Sequence, residues 1–352
     1  MARRSPLWRV IPPLANSIPP SAPEASWWQG NNGGAAFGLA IQSDGKIVTA
    51  APDDFKLAVF RYNTDGTLDT TFGTGGIAEI RAGGLLFAPV SGGLALLADG
   101  KIVVAVNDVL VRLLTDGQLD SSFGTGGVAP TLTATGALAP LSNGKALVAS
   151  GFTFSTGGMS RYNSNGSLDK AFGVAGQTPS FAGIAAIVPL GDGKIVVGSS
   201  LTSGTAAVGS SNPQGFVLTR YNSNGTIDST FGTRGAVVTN FPGEAFSGAA
   251  ALAVQSNGDI VAAGVAEAKN PAFGVEPSDF ALARYTPNGQ LDTTFGKNGI
   301  VTTAFGTNGG NAAAVSALAI QSDGKIVAVG YDNFLQFGHP SNGFTLARYL
   351  AQ

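Results

Sequence analysis

One eight-residue pattern recurs six times along this chain and limits its fold more than any other feature. The copies are Leu39 to Lys46 (Leu-Ala-Ile-Gln-Ser-Asp-Gly-Lys), Leu94 to Lys101, Leu138 to Lys145, Ile187 to Lys194, Leu252 to Asp259 and Leu318 to Lys325. Each runs into an apolar stretch such as Ile47-Val48 or Ile195-Val196-Val197. A second stretch follows, ending in Arg-Tyr or a variant at Arg61, Arg112, Arg161, Arg220, Arg284 and Arg348. Five copies then pass through an Asn/Asp-Gly turn into a Leu/Ile-Asp-x-x-Phe-Gly segment that carries Asp69, Asp120, Asp169, Asp228 and Asp292; the sixth copy stops at Gln352 without this part.

Asp-Gly and Asn-Gly between alternating apolar runs are hairpin signals, because these residues accept the positive φ of tight turns. Each unit therefore reads as a meander of four short antiparallel strands, with the Leu-Asp-x-x-Phe-Gly segment bridging the third and fourth. A four-stranded unit repeated every ~45 to 65 residues predicts an all-β six-bladed β-propeller, since solenoid repeats are shorter and helical repeats have a 3.6 period. The blades are expected to begin near residues 36, 92, 136, 185, 250 and 316, within a propeller spanning 26–352 behind an extended arm at 1–25. The incomplete sixth copy needs a closing strand. Trp27-Trp28-Gln29-Gly30 precedes the first repeat much as Ala304-Phe305-Gly306 precedes the sixth, so Trp27 and Trp28 are the expected ring-closing residues, pairing beside Phe344 to Tyr349.

Segments such as Leu318 to Gly330 and Phe280 to Gly299 resemble the delta-60 repeat family of bacterial proteins, and the likeness covers roughly residues 36–350. That resemblance implies a propeller-like fold and no particular activity or catalytic residue.

Composition narrows the function classes. With apolar residues at 44% and charged residues at 12%, the chain has ample material for a core. Its 51 glycines suit many tight turns and disfavour helices. A net charge of −2 with no basic stripe argues against nucleic acid as a partner. The lack of cysteine removes disulfides and thiolate chemistry, and no run of 18 apolar residues predicts a transmembrane helix. The basic start Met1-Ala2-Arg3-Arg4 is broken by Arg9, Pro12 and Pro13 before an apolar region develops, which makes a poor signal peptide and a cytoplasmic location the expectation. A periplasmic or extracellular location is the alternative.

Six equivalent copies cannot all sit at one catalytic centre, so the recurring arginines and aspartates are expected to hold the repeats together, each Arg pairing with a repeat Asp or with turn carbonyls. Turns such as Asn63 to Asp69 faintly resemble oxygen-rich calcium loops, but no copy ends in a bidentate glutamate, and the hairpin reading is preferred. No metal or cofactor is expected. The single histidine, His339, lies in the loop Phe337-Gly338-His339-Pro340-Ser341, and the glutamates are scattered. Catalysis is therefore not expected, although two carboxylates converging on one face would revive a hydrolase or lyase reading.

Recognition is expected where the copies differ. The connections between second and third strands are long in copies four (Ser199 to Gly215), five (Gly264 to Asp279) and six (Gly330 to Gly343), nominating Phe241, Phe273, Phe334, Phe337 and His339 as one partner-binding face. The arm holds Trp8 with Trp27 and Trp28 just beyond it, together with Arg3, Arg4, Arg9, Pro12 and Pro13, the residue types that anchor interfaces. The expected function is an accessory or scaffolding subunit of a larger protein assembly, held by the arm and close to a membrane surface. An exported carbohydrate- or surface-binding propeller is the alternative.

Overall fold

The computed structural model describes residues 36–53, 56–81, 92–132, 136–149, 158–178, 184–200, 215–268, 278–305, 312–336 and 339–350. All regular structure in these residues is β, and no helix occurs among them. The described chain divides into two compact units. One holds residues up to 189 together with the turn 223–226; the other holds 190–222 and everything from 227 onward.

In the first unit, repeat 1 forms β1 (Gly38–Ile41), β2 (Ile47–Asp53), β3 (Lys56–Tyr62) and β4 (Ile77–Ile80), hydrogen-bonded in that order. Repeat 2 does the same with β5 (Gly92–Leu96), β6 (Ile102–Val106), β7 (Val109–Leu113) and β8 (Val128–Pro130). Repeat 3 is reduced to β9 (Ala137–Pro140), β10 (Ala146–Ala149) and β11 (Met159–Tyr162). Among the described residues its fourth strand is represented by the bridge Ser160↔Gln177 alone, so the four-stranded sheet expected from the sequence is not seen in them. The unit ends with β12 (Ile184–Pro189), the first strand of repeat 4.

The second unit continues with β13 (Ile195–Ser200), β14 (Phe216–Tyr221) and β15 (Ala236–Thr239). Repeat 5 follows as β16 (Glu244–Val254), β17 (Ile260–Ala268), β18 (Ser278–Tyr285) and β19 (Ile300–Thr303). Repeat 6 is β20 (Ala312–Ile320), β21 (Ile326–Gln336) and β22 (His339–Tyr349), linked to repeat 5 by one parallel bridge, Ser278↔Ala312.

The first hairpin of each repeat closes on its Gly-Lys turn, Gly-Asp in repeat 5, for a local reason. In repeat 1 the amide of Gln42 donates to the Lys46 carbonyl at 2.8 Å, Asp44 Oδ1 accepts from the Lys46 amide at 3.1 Å, and Gly45 sits at φ +84°. Only glycine takes that φ without strain. The apolar alternation then buries Val48, Ala50, Leu57 and Val59 of repeat 1 against Val104, Val106 and Val111 of repeat 2. A similar cluster, Ala105, Leu110, Phe123, Val148 and Tyr162, joins repeats 2 and 3, and Phe280, Leu282, Val315 and Ala328 join repeats 5 and 6.

The connection at Gly330 to Gly343, read from sequence as a loop, is a hairpin. Strands β21 and β22 stay paired from Ile326↔Tyr349 out to Gln336↔His339. Asn333, Pro340, Ser341, Asn342 and Gly343 are turn-forming residues, which is why the sequence suggested a loop. Here they occupy the β21–β22 ladder, which β20 flanks as far as Ala312↔Asn333, and His339 is the first residue of β22. In repeat 5 the ladder between β17 and β18 likewise extends to Glu267↔Ser278.

Candidate functional site

The recurring side chains build a clasp between successive repeats. In repeat 1 the turn after Tyr62 folds the chain back so that the Asp69 amide donates to the Arg61 carbonyl at 2.9 Å, bringing the two side chains together. Arg61 Nε donates to Asp69 Oδ2 at 2.7 Å, Nη2 reaches Thr71 Oγ1 at 3.3 Å, and Nη1 crosses to the Thr115 carbonyl of repeat 2 at 2.6 Å. The guanidinium carbon lies 4.7 Å from the centre of the Phe72 ring, a cation–π placement. Lys46, from the first hairpin, adds a second cation on Asp69 Oδ2 at 2.8 Å. The Lys46 ammonium and the Thr71 hydroxyl hold the Asp69 carboxyl well below the usual carboxylate range.

The pairs Arg112–Asp120 (2.8 Å), Arg161–Asp169 (2.8 Å), Arg220–Asp228 (2.7 Å) and Arg284–Asp292 (2.7 Å) repeat the arrangement. Lys101, Lys145 and Lys194 supply the second cation in repeats 2 to 4. Burial pulls Asp228 upward, but Lys194 and Thr230 outweigh it and the carboxyl is again low. Arg112, Arg161 and Arg220 each donate to a turn carbonyl of the following repeat, at Ser164, Ser223 and Pro287. Repeat 5 has Asp259 in place of the lysine, so Asp292 keeps the arginine alone among these cations. Lys325 of repeat 6 pairs locally with Asp323 at 2.5 Å, and Arg348 is exposed, with no ion pair to it among the described residues.

The Leu-Asp-x-x-Phe-Gly segment is the receiving half of this clasp. Gly73, Gly124, Gly173 and Gly232 donate their amides to the carbonyls of Asp116, Asn165, Asn224 and Asn288 in the next turn. The turn glycine then lies on the phenylalanine ring: a Cβ on Gly117 would stand 2.8 Å from the Gly73 nitrogen and 3.0 Å from Phe72. Sequence reasoning named Arg, Asp and the turn carbonyls as a class but missed the lysine and the ring. Only the fixed recurrence of Gly-Lys and Phe-Gly could have signalled them.

A crevice of about 450 Å³ in the first unit is lined by clasp residues Lys101 and Arg112 together with Asp99, Ser142 and Ser164. Its cations are already engaged with Asp120, at 3.1 Å for Lys101 and 2.8 Å for Arg112.

Two carboxylates outside the clasp behave differently. Glu244 at the start of β16 pairs opposite Ala268, and Asp279 on β18 pairs opposite Ala266, which puts both on one face of the sheet. Burial, then the proximity of Asp279, pushes the Glu244 carboxyl up, and burial pushes Asp279 up. No group of three or more metal-ligating side chains occurs among the described residues.

Of the partner-face residues, Phe241 is buried, 3% exposed, with its ring 4.8 Å from that of Phe216. Its place is in the packing under β14, as Phe305 packs at 4.7 Å on Phe280 in repeat 5. Phe334 lies on β21 and His339 on β22. Phe273, Phe337, the arm residues Arg3, Arg4, Trp8, Arg9, Pro12 and Pro13, and the closing pair Trp27 and Trp28 lie outside the described residues.

Five segments of the chain, residues 42–72, 97–123, 141–172, 190–231 and 255–295, match a family described as "Domain of unknown function (DUF5122) beta-propeller". They run from the first-hairpin turn through the Arg strand to the Phe of the Phe-Gly segment in repeats 1 to 5. Comparison with curated proteins finds no match. Among solved structures, a catalytically inactive variant of virginiamycin B lyase from Staphylococcus aureus with quinupristin is similar at 12% identity and a TM-score of 0.51, covering 92% of this chain and 86% of that one. The selenomethionine form of the same lyase gives 11% and 0.49, covering 88% and 83%. A protein of unknown function from Dyadobacter fermentans DSM 18053 gives 12% and 0.49, covering 91% and 96%. At these identities the likeness is one of fold. It nonetheless corrects the expectation that the chain is not an enzyme: structures sharing this fold include a lyase, so equivalence of the repeats is no ground for excluding catalysis.

Proposed function

We propose that this chain, a β-propeller repeat protein, serves as a subunit of a larger protein assembly and recognises its partner through the extended hairpins of repeats 5 and 6. One observation carries the reading. The β21–β22 ladder continues for three residue pairs, Phe334↔Ser341 to Gln336↔His339, beyond Asn333, the last residue of β21 that β20 also pairs with among the described residues. This two-stranded end is read here as an arm available to a partner. The equivalent hairpin of repeat 2 turns immediately, at Val106↔Val109. The arm carries Phe334 and His339 at Cα positions near its tip. Replacing residues 333–342 with an Asn-Gly turn should leave the melting temperature within a few degrees while the other subunits no longer co-purify from a gentle native preparation. Undiminished co-purification overturns the reading.

The same proposal includes a six-bladed ring closed by residues 26–30, with residues 1–25 as the anchor of a cytoplasmic subunit. It is supported by β22, the third strand of its repeat, which has no fourth strand beside it among the described residues. Deleting 26–30 should lower the melting temperature sharply.

A catalytic reading stands second, on Glu244 and Asp279. Carboxyls held protonated to higher pH by burial suit a general acid. Glu244→Gln and Asp279→Asn should then each abolish any turnover the native protein shows, without lowering its melting temperature.

A further inference from the structure

The clasp of repeat 5 reverses the charge of the other four. In repeats 1 to 4 the lysine, the arginine and the aspartate of each clasp together carry one positive charge. In repeat 5 Asp259 holds the lysine position, and two aspartates with Arg284 carry one negative charge. The backbone there is the same: Ile260 pairs with Tyr285 as Ile47 does with Tyr62, and Gln255 donates to the Asp259 carbonyl as Gln42 does to that of Lys46. The Asp259 side chain therefore leaves its hairpin where, in repeats 1 to 4, an ammonium stands 2.7 to 3.1 Å from the clasp aspartate. Aspartate is the shorter side chain. It stops short of Asp292 and leaves, between two carboxylates, the place that an ammonium takes in the other clasps. The Asp292 side chain is accordingly 15% exposed, against 5% to 9% for its counterparts.

A third oxygen belongs to the same face. Gln255 and Asp259 stand opposite each other at the base of the turn, which sends both side chains to one side of the hairpin. Alternation along β17 adds Val261, and the Val261↔Arg284 pair brings Arg284 there with Asp292 bound to it at 2.7 Å. The equivalent side chains of repeat 2, Leu97, Lys101 and Arg112, line one crevice. Gln255 is 9% exposed; its Nε2 donates to the Gly324 carbonyl at 3.1 Å, and its Oε1 is buried without a hydrogen-bond partner. A buried acceptor left in that state is rare in folded proteins. Repeats 2 to 4 carry Leu97, Leu141 and Leu190 at this position. Gln42 of repeat 1 also has an unpartnered Oε1, but it is only half-buried and Lys46 completes its clasp.

We propose that a divalent cation of the calcium type takes the place of the lysine ammonium in repeat 5, bound by the carboxylates of Asp259 and Asp292 and by Gln255 Oε1, with water completing its shell. Carboxylate and amide oxygens in an uneven set suit calcium better than magnesium, which demands a regular octahedron. The two charges of the ion return this clasp to the single positive charge of the other four. No third carboxylate or imidazole joins the two aspartates among the described residues, so the expected dissociation constant is weak, about 10⁻⁴ to 10⁻³ M.

The test is calorimetric titration of the full chain, first stripped with a chelator, with calcium chloride. Binding should appear in that range, and about 10 mM calcium chloride should raise the melting temperature by a few degrees over sodium chloride of equal ionic strength. Asp259→Lys supplies the ammonium of repeats 1 to 4 and should lose both responses while melting no lower than calcium-free native protein. Gln255→Leu, which installs the residue of repeats 2 to 4, should weaken binding about tenfold by removing one ligand. Asp323→Asn, an exposed carboxylate in the corresponding turn of repeat 6, should bind as the native chain does. No calcium binding in that range, a melting shift matched by sodium chloride, a response undiminished in Asp259→Lys, or one lost in Asp323→Asn overturns the proposal.

Discussion

Gly66 and Gly117 occupy the same place in consecutive repeats and share a left-handed backbone, φ +86° and +89°. Around Gly117 lie the Phe72 ring and the Gly73 amide; around Gly66 there is open space. Sequence identity within the motif therefore says little about what a residue contributes. The neighbouring repeat decides it, because the clasp is half a structure until the next turn arrives. Alanine at the two positions should separate backbone strain from contact. Gly117→Ala combines left-handed strain with a forced shift of ring and amide and should cost about 3 to 4 kcal/mol. Gly66→Ala should cost only the strain, about 1 kcal/mol. Equal losses in urea unfolding would mean that seating contributes nothing.

The arginines offer the next contrast. Arg112 is 5% exposed and binds Asp120, Ser122 and the Ser164 carbonyl at once, while Arg348 lies exposed on β22. Arg112→Ala leaves Asp120 and the Ser164 carbonyl short of a donor and should cost about 3 kcal/mol, against under ~0.5 kcal/mol for Arg348→Ala. Similar melting shifts for both would show that the cross-repeat bond is incidental.

Much of this was legible in the chain. The strands followed from apolar alternation and Asx-Gly turns, and Arg with Asp stood out because both recur at one spacing. That the arginines reach turn carbonyls was also legible, but not which ones: Thr115, Ser164, Ser223 and Pro287 are of three residue types, so no pattern of side chains marks them. The lysine was hidden by distance, with Lys46 lying 23 residues from Asp69. Phe241 was misplaced because a phenylalanine after a strand looks exposed until the ring of Phe216 is set beneath it. The β21–β22 hairpin was misread because its turn-forming residues, Asn333 and Pro340 to Gly343, look like a loop in sequence and yet are held in a strand ladder.

Protonation divides the carboxylates in the same manner. Asp69, Asp120, Asp169, Asp228 and Asp292 are all held low in the folded protein. Their contribution is complete above the unfolded value of about 3.9 and is lost as pH falls below it toward their folded values. Glu244 and Asp279 are held high, so their ionisation weighs against the fold as pH rises from about 4 through their folded values. Asp279→Asn should therefore stabilise the protein at pH 7 and change little at pH 3. Stabilisation that is the same at both pH values would place the effect in packing.

The smallest effect tests the exception within the clasp. Repeats 1 to 4 give each aspartate two cations, whereas Asp259 leaves Asp292 with Arg284, and the Asp292 side chain is 15% exposed against 5% to 9% for the others. Asp259 instead accepts a hydrogen bond from Asn257 at 2.7 Å on the surface. Asp259→Lys should restore the second cation, because the turn holding it has the same form: Gln255 donates to the Asp259 carbonyl at 2.9 Å as Gln42 does to Lys46 at 2.8 Å. A partly exposed ion pair is worth little, so the expected gain is about 0.5 kcal/mol, falling in high salt. A gain that survives salt would indicate burial of the new side chain along the hairpin. No gain at all would mean that Arg284 and Thr294 already saturate the Asp292 carboxylate, and that the lysine in the other repeats serves the turn more than the clasp.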